Sequence, residues 1–392
     1  MRLIRSGLSV RDSAGKVNLR FTRYAVIKAP YFNGLRASQV CYAVRLKAWS
    51  AGDKAVDFTQ QQAKRGGAEF LAVLLVLTLA APYSVGPDNS AAASRQGPAK
   101  HEEAKQRARN EESKPFVLVG AGDIASCALL AGAEATARLV ERIPGTVFAA
   151  GDLVYERGTA REFRDCYGTT WGRFKERTKP TPGNHEYNFA GGAAYFAYWG
   201  ARAGTPEKSY YSFDLGNWHV IALNTNCVAP GVGGCGMGSP EEKWLKRDLA
   251  EHRNSCIAAF GHHALYSSGV FPSHAVHPEL KDLWRDLYDA HADLVLAGHE
   301  HSYERFAPQD PDGNADAKGI REIVVGTGGR SHDPLGKALP NSEVRNFDTY
   351  GVLKLTLWPD RYQWEFVPVN AEGFRDSGEG GCHNARQAPG AK

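Results

Sequence analysis

The chain has 392 residues, 43% of them hydrophobic, which is enough for a sizeable core in one large domain or two. Its 47 Lys and Arg against 43 Asp and Glu give a net charge of +4, but that sum hides a split. Residues 1–68 carry 13 basic side chains and only Asp12, Asp53 and Asp57 as acids, a balance of +10; the remainder is acidic at −6 and holds all 13 histidines. A basic nucleic-acid-binding surface across the main domain is disfavoured, and so is a multi-pass membrane protein.

The first 68 residues show no sustained periodicity. We read 1–63 as an unstructured, over-extended N-terminus, with translation beginning nearer residue 56. Lys64-Arg65-Gly66-Gly67 then precedes an apolar run over 70–81 and small residues up to Ala91-Ala92-Ala93. A basic flank, a short apolar stretch and a small-residue cleavage zone describe a secretory signal peptide, and the run is shorter than the roughly 20 residues a membrane span needs. Residues 64–93 are therefore expected to direct export, leaving a secreted or periplasmic protein with no membrane attachment after cleavage. A polar, charge-dense linker follows over 94–114. Beyond Cys41, six cysteines remain, none spaced as CxxC, and export would permit disulfides. Cys227 and Cys235 flank a Gly-rich loop and are the expected pair. The pairing of Cys127, Cys166, Cys256 and Cys382 stays open, with buried free thiols as the alternative.

The main domain is expected over 115–372, with a C-terminal tail over 373–392. An apolar strand over 116–119 leads to Gly122-Asp123, a helix follows over 128–142, and a second strand over 147–150 leads to Gly151-Asp152. Stretches 209–213 and 218–224 alternate and read as a hairpin. Ser239-Pro240-Glu241-Glu242 is a capping box with Pro at the first helical position, opening a helix to about residue 252. Strands over 257–260 and 292–297 end at Gly261-His262 and Gly298-His299. Strands over 320–325, 350–357 and 362–369 close the domain, the last two as a hairpin around Pro359-Asp360. Strands alternate with helices early and pair as hairpins late, so an α/β (α+β) domain with a mixed sheet system and outer helices is expected.

Five segments carry the chemistry: Gly122-Asp123-Ile124-Ala125, Gly151-Asp152-Leu153-Val154-Tyr155, Gly183-Asn184-His185-Glu186, Gly261-His262-His263 and Gly298-His299-Glu300-His301. Singly each is weak; in this order, with a glycine and then a metal-binding side chain in each, they are strong. Functional groups gather at the carboxyl ends of strands in layered α/β proteins, and glycine there lets loops approach closely. The donors are oxygen and nitrogen only, which suits first-row transition metals rather than thiolate-bound structural zinc.

The series GDxx, GDxxY, GNHE, GHH and GHEH, above all the run Gly298-His299-Glu300-His301-Ser302-Tyr303-Glu304-Arg305, resembles the purple acid phosphatase branch of the calcineurin-like metallophosphoesterases over roughly residues 115–369. The resemblance implies a central two-sheet β-sandwich flanked by helices, with the metal site at strand C-terminal ends. It implies two ions sharing Asp152: one, Fe³⁺, on Asp123, Asp152, Tyr155 and His301, and a divalent Fe, Zn or Mn on Asp152, Asn184, His262 and His299. It further implies a secreted phosphatase, acting on small phosphate monoesters by attack of a metal-bound hydroxide, with His185 facing the substrate. His263 is read as a phosphate contact, a ligand-orienting group or packing; His274 and His277 as loop histidines near the pocket mouth. Tyr303 and Arg305 are expected to brace the strand end, and Cys127, His219, His291 and His332 to be structural. Ala125 stands where the family often has glycine, and no metal ligand is missing. Two other readings remain: a phosphodiesterase of the same superfamily using two divalent ions, and a secreted phosphate-binding protein without turnover.

Overall fold

The computed structural model describes residues 114–253, 255–271 and 277–385, together with four strands nearer the N-terminus. The signal-like segment 64–93, the linker short of Lys114, Cys41 and His274 lie outside the described residues. The chain divides into two compact units, Met1–Asp88 and Asn89–Lys392. In the first, β1 (Arg5–Asp12) pairs with β2 (Gly15–Thr22) and β3 (Leu46–Ala48) with β4 (Val56–Phe58), both antiparallel. The expectation of an unstructured stretch over 1–63 is corrected at these positions. The register sets Leu8 opposite Leu19 and Val10 opposite Val17, a short period-two alternation that the sequence carries and that closes where Asp12 faces Gly15.

The second unit begins with β5 (Phe116–Ala121), β6 (Ala125–Ser126), α1 (Leu130–Arg142), β7 (Thr146–Ala150), β8 (Val154–Tyr155), β9 (Thr178–Thr181) and α2 (Ala193–Trp199). It continues through β10 (Tyr211–Leu215), β11 (Trp218–Ala222), α3 (Pro240–Glu251), β12 (Cys256–Phe260), α4 (Lys281–Asp289) and β13 (Leu294–Ala297). It ends with β14 (Tyr303–Phe306), β15 (Arg321–Val325), β16 (Ser342–Asn346), β17 (Gly351–Leu357), β18 (Arg361–Pro368) and β19 (Ser377–Gly381). One sheet has six strands in the order β19-β18-β17-β5-β7-β9, the other seven in the order β10-β11-β12-β13-β15-β14-β16. The parallel strands β5, β7 and β9 lie in the first sheet, and β11, β12, β13 and β15 in the second.

Alternating side chains decide the layering. From β12, Ala258 and Phe260 join Leu118, Val147 and Phe148 of the other sheet, while Ile257 and Ala259 pack with Leu245 of α3 and Leu283 of α4. Phe148 and Phe260 meet between the sheets with ring centroids 5.8 Å apart. Strands covered on both faces read as unbroken apolar runs, so the expected sandwich flanked by helices is the one observed.

The departures have local causes. The first helix starts at Leu130 rather than 128, because Leu129 is non-helical (φ −138°) and its N–H closes a turn onto Ser126. Only half of the capping box forms: Ser239 Oγ accepts from the Glu242 N–H at 3.1 Å, but the Glu242 carboxylate turns to the Gly238 N–H instead. The boundary at 372 is too early. β19 pairs with β18, Cys382 is bonded to Cys256, and the His383 N–H donates to Asp293 Oδ1 at 2.7 Å. Ser-Gly-Glu-Gly-Gly carries no apolar pattern to announce a strand; its glycines let it lie where a Cβ at Gly378 or Gly380 would meet Trp364 or Tyr362. Cys227 pairs with Cys235 as expected, and Cys127–Cys166 and Cys256–Cys382 replace the alternative of free thiols.

His219, left as structural by the sequence, ties β10, β11 and α3 together. It is buried, with Nδ1 2.8 Å from Asp214 Oδ1, Nε2 2.7 Å from Asp248 Oδ2 and its ring stacked 3.6 Å from His252. Two carboxylate acceptors require a proton on each ring nitrogen, so the group is an imidazolium. Burial opposes that charge, but Asp248 and Asp214 outweigh it and hold the imidazole above its ordinary value. Its contribution is thus full below about pH 6.5 and fades as pH rises through the raised value. Thermal denaturation from about pH 6.5 upward should cost the wild type more stability than it costs His219→Gln; parallel stability curves would refute the assignment.

Candidate metal centre

The seven predicted ligand positions converge at one end of the two sheets. Asp123 follows β5, Asp152 and Tyr155 follow β7, Asn184 follows β9, His262 follows β12, and His299 and His301 follow β13. All these strands are parallel within their sheets, so their carboxyl ends open on the same edge. The chain turns sharply past them: Asp123 (φ 60°), Asp152 (φ 48°) and His299 (φ 72°) are non-glycine residues in the left-handed region. Such conformations cost about 1–3 kcal/mol each and cluster where side chains must be aimed. The preceding glycines are required by contact. A Cβ on Gly298 would stand 2.6 Å from Asp123 Oδ2, and one on Gly151, itself at φ 73°, 2.5 Å from the His262 ring.

The donors fall into two linked groups. Tyr155 Oη donates to Asp123 Oδ1 at 2.7 Å and lies 3.1 Å from His301 Nε2, which is 3.4 Å from Asp123 Oδ1. In the second group, His262 Nε2 lies 3.0 Å from Asn184 Oδ1, 3.1 Å from His299 Nδ1 and 3.4 Å from Asp152 Oδ2. Ligand atoms of Asp123, Asp152 and His262 all fall within 4.8 Å of one another, which joins the groups. Asp123, Asp152, Tyr155, His262 and His299 are buried.

The chemistry of these donors fits metal ions. His262 Nδ1–H donates to the Ala150 carbonyl at 3.0 Å, and His301 Nδ1 lies 2.7 Å from Ser331 Oγ. Each imidazole is therefore oriented by its far nitrogen, as metal-bound histidines are, and turns Nε2 inward. Three further donor atoms converge on His262 Nε2, more than a single proton can serve. Electrostatics agree. Burial opposes charge on Asp152, yet the neighbouring His262 holds its carboxyl well below the usual range. Burial likewise opposes charge on His262, and Asp152 pushes it up to about 9, while burial and then Asp123 push the Tyr155 phenol upward. The centre demands positive charge.

His185 stands at the edge of the cluster, its side chain a quarter exposed. Its N–H donates to Asp152 Oδ1 at 2.9 Å, its Nδ1–H to the Glu156 carbonyl at 2.7 Å, and its Nε2 lies 3.9 Å from Asp152 Oδ2. His263 packs 4.4 Å from His299 and 4.6 Å from His277. Tyr303 and Arg305 do brace the strand, both bonding Asp376 at 2.7 Å.

The sequence reading missed several supports. Thr225 Oγ1 accepts from the N–H groups of His262 (3.0 Å) and His263 (2.9 Å), and lies 3.1 Å from His263 Nδ1. Buried Glu186 accepts from the N–H groups of Gly183 (2.7 Å) and Val154 (3.1 Å), and Glu322 from those of Leu265 and Tyr266. Thr225 had a usable signal, since it follows β11 as the ligands follow their strands, and Glu186 sits inside a quoted motif. Ser331 had none.

The sequence profile described as Calcineurin-like phosphoesterase matches residues 102–303. The chain belongs to that family. Within this calcineurin-like family, a stretch of 235 residues is 27% identical to purple acid phosphatase 15 of Arabidopsis thaliana, covering 50% of this chain and 42% of that protein. A stretch of 260 residues is 25% identical to a nucleotide pyrophosphatase/phosphodiesterase of Hordeum vulgare, covering 56% of this chain and 68% of that protein. Purple acid phosphatase PPD1 from yellow lupin (Lupinus luteus) seeds shares the fold, with a TM-score of 0.55, 20% identity and coverage of 68% of this chain and 54% of that one. The chain thus spans less than half the length of the Arabidopsis relative.

Proposed function

We propose that the domain is an exported binuclear-metal phosphatase hydrolysing phosphate monoesters. The observation that carries the reading is the convergence of Asn184 Oδ1, His299 Nδ1 and Asp152 Oδ2 on His262 Nε2, beside the linked Asp123–Tyr155–His301 group. Asp123, Asp152, Tyr155 and His301 would hold one ion; with up to three anionic oxygens they favour Fe³⁺. Asp152, Asn184, His262 and His299 would hold the other, and their mostly neutral set suits divalent Fe, Zn or Mn. When bound, the pair supplies Lewis acidity and an activated water.

The remaining work belongs to the chain. With its Nδ1–H committed to the Glu156 carbonyl, His185 offers Nε2 as its working atom. There it holds a proton for the leaving-group oxygen and stabilises the charge of the phosphoryl group. The Asp152 carboxylate, by accepting the His185 N–H, fixes that ring relative to the ions. Export is supported by the three disulfides, with residues 64–93 as its signal and a small phosphorylated compound as substrate.

A second reading is a phosphodiesterase with two divalent ions; the name of the barley relative supports its diester chemistry. Tyr155 separates the two, because a tyrosinate bound to Fe³⁺ absorbs visible light by charge transfer. Protein purified from Ala93 onward should contain two metal ions per chain, one of them iron, show a visible band and cleave monoesters. A colourless, metal-replete protein acting on diesters would establish the second reading instead.

A further inference from the structure

The segment after β15, Gly326-Thr327-Gly328-Gly329-Arg330-Ser331, is laid against the residues that deliver the first ligand group. The Gly328 N–H donates to the Gly122 carbonyl at 2.9 Å and the Arg330 N–H to the Asp123 carbonyl at 3.0 Å. Ser331 orients His301. The Arg330 side chain then reaches over two consecutive residues of the neighbouring loop. Its guanidinium lies 5.0 Å above the Tyr155 ring and its Nη2 bonds Glu156 Oε1 at 2.5 Å. The Arg330 side chain is 21% exposed and that of Glu156 58%, so the pair is shielded on the arginine side and open to water on the carboxylate side. Glu156 is also the residue whose carbonyl takes the His185 Nδ1–H, and the His185 and Tyr155 rings lie 4.4 Å apart. From below, Glu162 accepts the N–H groups of Glu156 (2.7 Å) and Arg157 (3.3 Å).

We propose that Arg330 is a positioning residue that clamps Tyr155 and Glu156 as a unit and so fixes the direction in which His185 presents Nε2. This rests on the proposed phosphatase reading and adds to it a residue that touches neither metal nor phosphate. Planarity matters here: a guanidinium can stack on the phenol and pair with a carboxylate at once, whereas a lysine ammonium is a point charge that serves one partner at a time.

The test compares Arg330→Met, Arg330→Lys and Glu156→Gln with the wild type, all as full chains loaded with metal. If the clamp aims His185, its loss removes help to the leaving group. Arg330→Met should lower kcat on glycerol phosphate, a poor leaving group, by about 10-fold or more, and on p-nitrophenyl phosphate by less than about 3-fold. Metal content should stay at the wild-type value. Removing a cation above the phenolate raises its donor orbitals, so the visible band should move to longer wavelength. Arg330→Lys should keep the band near its wild-type position while losing part of the kcat on glycerol phosphate. Glu156→Gln should reproduce the substrate split with little movement of the band. Equal losses on both substrates, or loss of metal from Arg330→Met, would overturn the proposal and leave Arg330 a general stabiliser. If the wild type proves colourless the iron assignment falls, and the leaving-group split alone decides for or against the clamp.

Discussion

Asp152→Asn should lose both metal ions and at least about 10³-fold in phosphatase activity while keeping the native fold. Asp152 is buried, its Oδ2 lies 3.4 Å from His262 Nε2, and it shares a 4.8 Å cluster with Asp123 and His262. As the proposed shared ligand it is the one residue whose charge serves both ions. Lewis-acid stabilisation of the transition state is worth several kcal/mol, and each 1.36 kcal/mol is tenfold in rate. The amide keeps the size of the carboxylate, and its carbonyl still accepts the N–H that His185 donates to Asp152 Oδ1 at 2.9 Å, so the backbone should hold. Elemental analysis and kcat on a phosphate monoester check both parts. A variant that retains two ions and more than a tenth of the activity would remove Asp152 from the shared position. A protein that binds phosphate equally well with and without the substitution, and turns over in neither form, would be the binder without turnover.

Glu186→Ala should destabilise the domain by about 2–6 kcal/mol and lower its metal content. The side chain is fully buried and touches no proposed ion; its two oxygens accept from the Gly183 and Val154 N–H groups at 2.7 and 3.1 Å. Truncation leaves two buried donors without acceptors, each costing about 1–3 kcal/mol. These donors belong to the loop that presents Tyr155 and the turn that presents Asn184, so the damage reaches the centre through the backbone. Denaturant unfolding gives the stability and metal analysis the occupancy. Glu186→Gln retains one acceptor oxygen and should fall between. Unchanged unfolding of Glu186→Ala would mean that water replaces the carboxylate, against its burial.

Much of the centre was legible because its residues occupy one structural position. Four of the five proposed ligand segments follow an apolar strand and all carry a glycine, and both features can be read locally: small backbone to allow approach, polar side chain to bind. The core strands were legible for the same reason, since β5, β7, β12 and β13 are buried on both faces and hence unbroken apolar runs. The edge strands β9, β16 and β19 were not, although the edge strand β10 was. β16 and β19 expose alternate residues to solvent, and β9 carries two threonines and a proline with a single lysine. α4 was missed although Leu283, Trp284 and Leu287 lie on its buried side at helical spacing. Most of the supporting contacts were invisible because they join residues far apart in the chain. Ser331 meets His301 across 30 positions, Thr225 meets His262 across 37, and Arg330 meets Glu156 across 174. No local pattern encodes such a meeting: the first two follow neighbouring strands of one sheet, and the third joins segments that follow strands of different sheets.

The Cys256–Cys382 bond spans 126 residues and sets an order on biosynthesis. A chain made from its N-terminus presents Cys256 on β12 long before its partner, which follows β19, the last strand among the described residues. Covalent closure therefore waits until residue 382 has been made, after all the proposed ligand-bearing segments. Any product cut short between the two positions keeps a reduced Cys256, even where Cys127–Cys166 and Cys227–Cys235 have closed. Counting thiols in denaturant thus distinguishes a finished domain from an abandoned one, without reference to its activity.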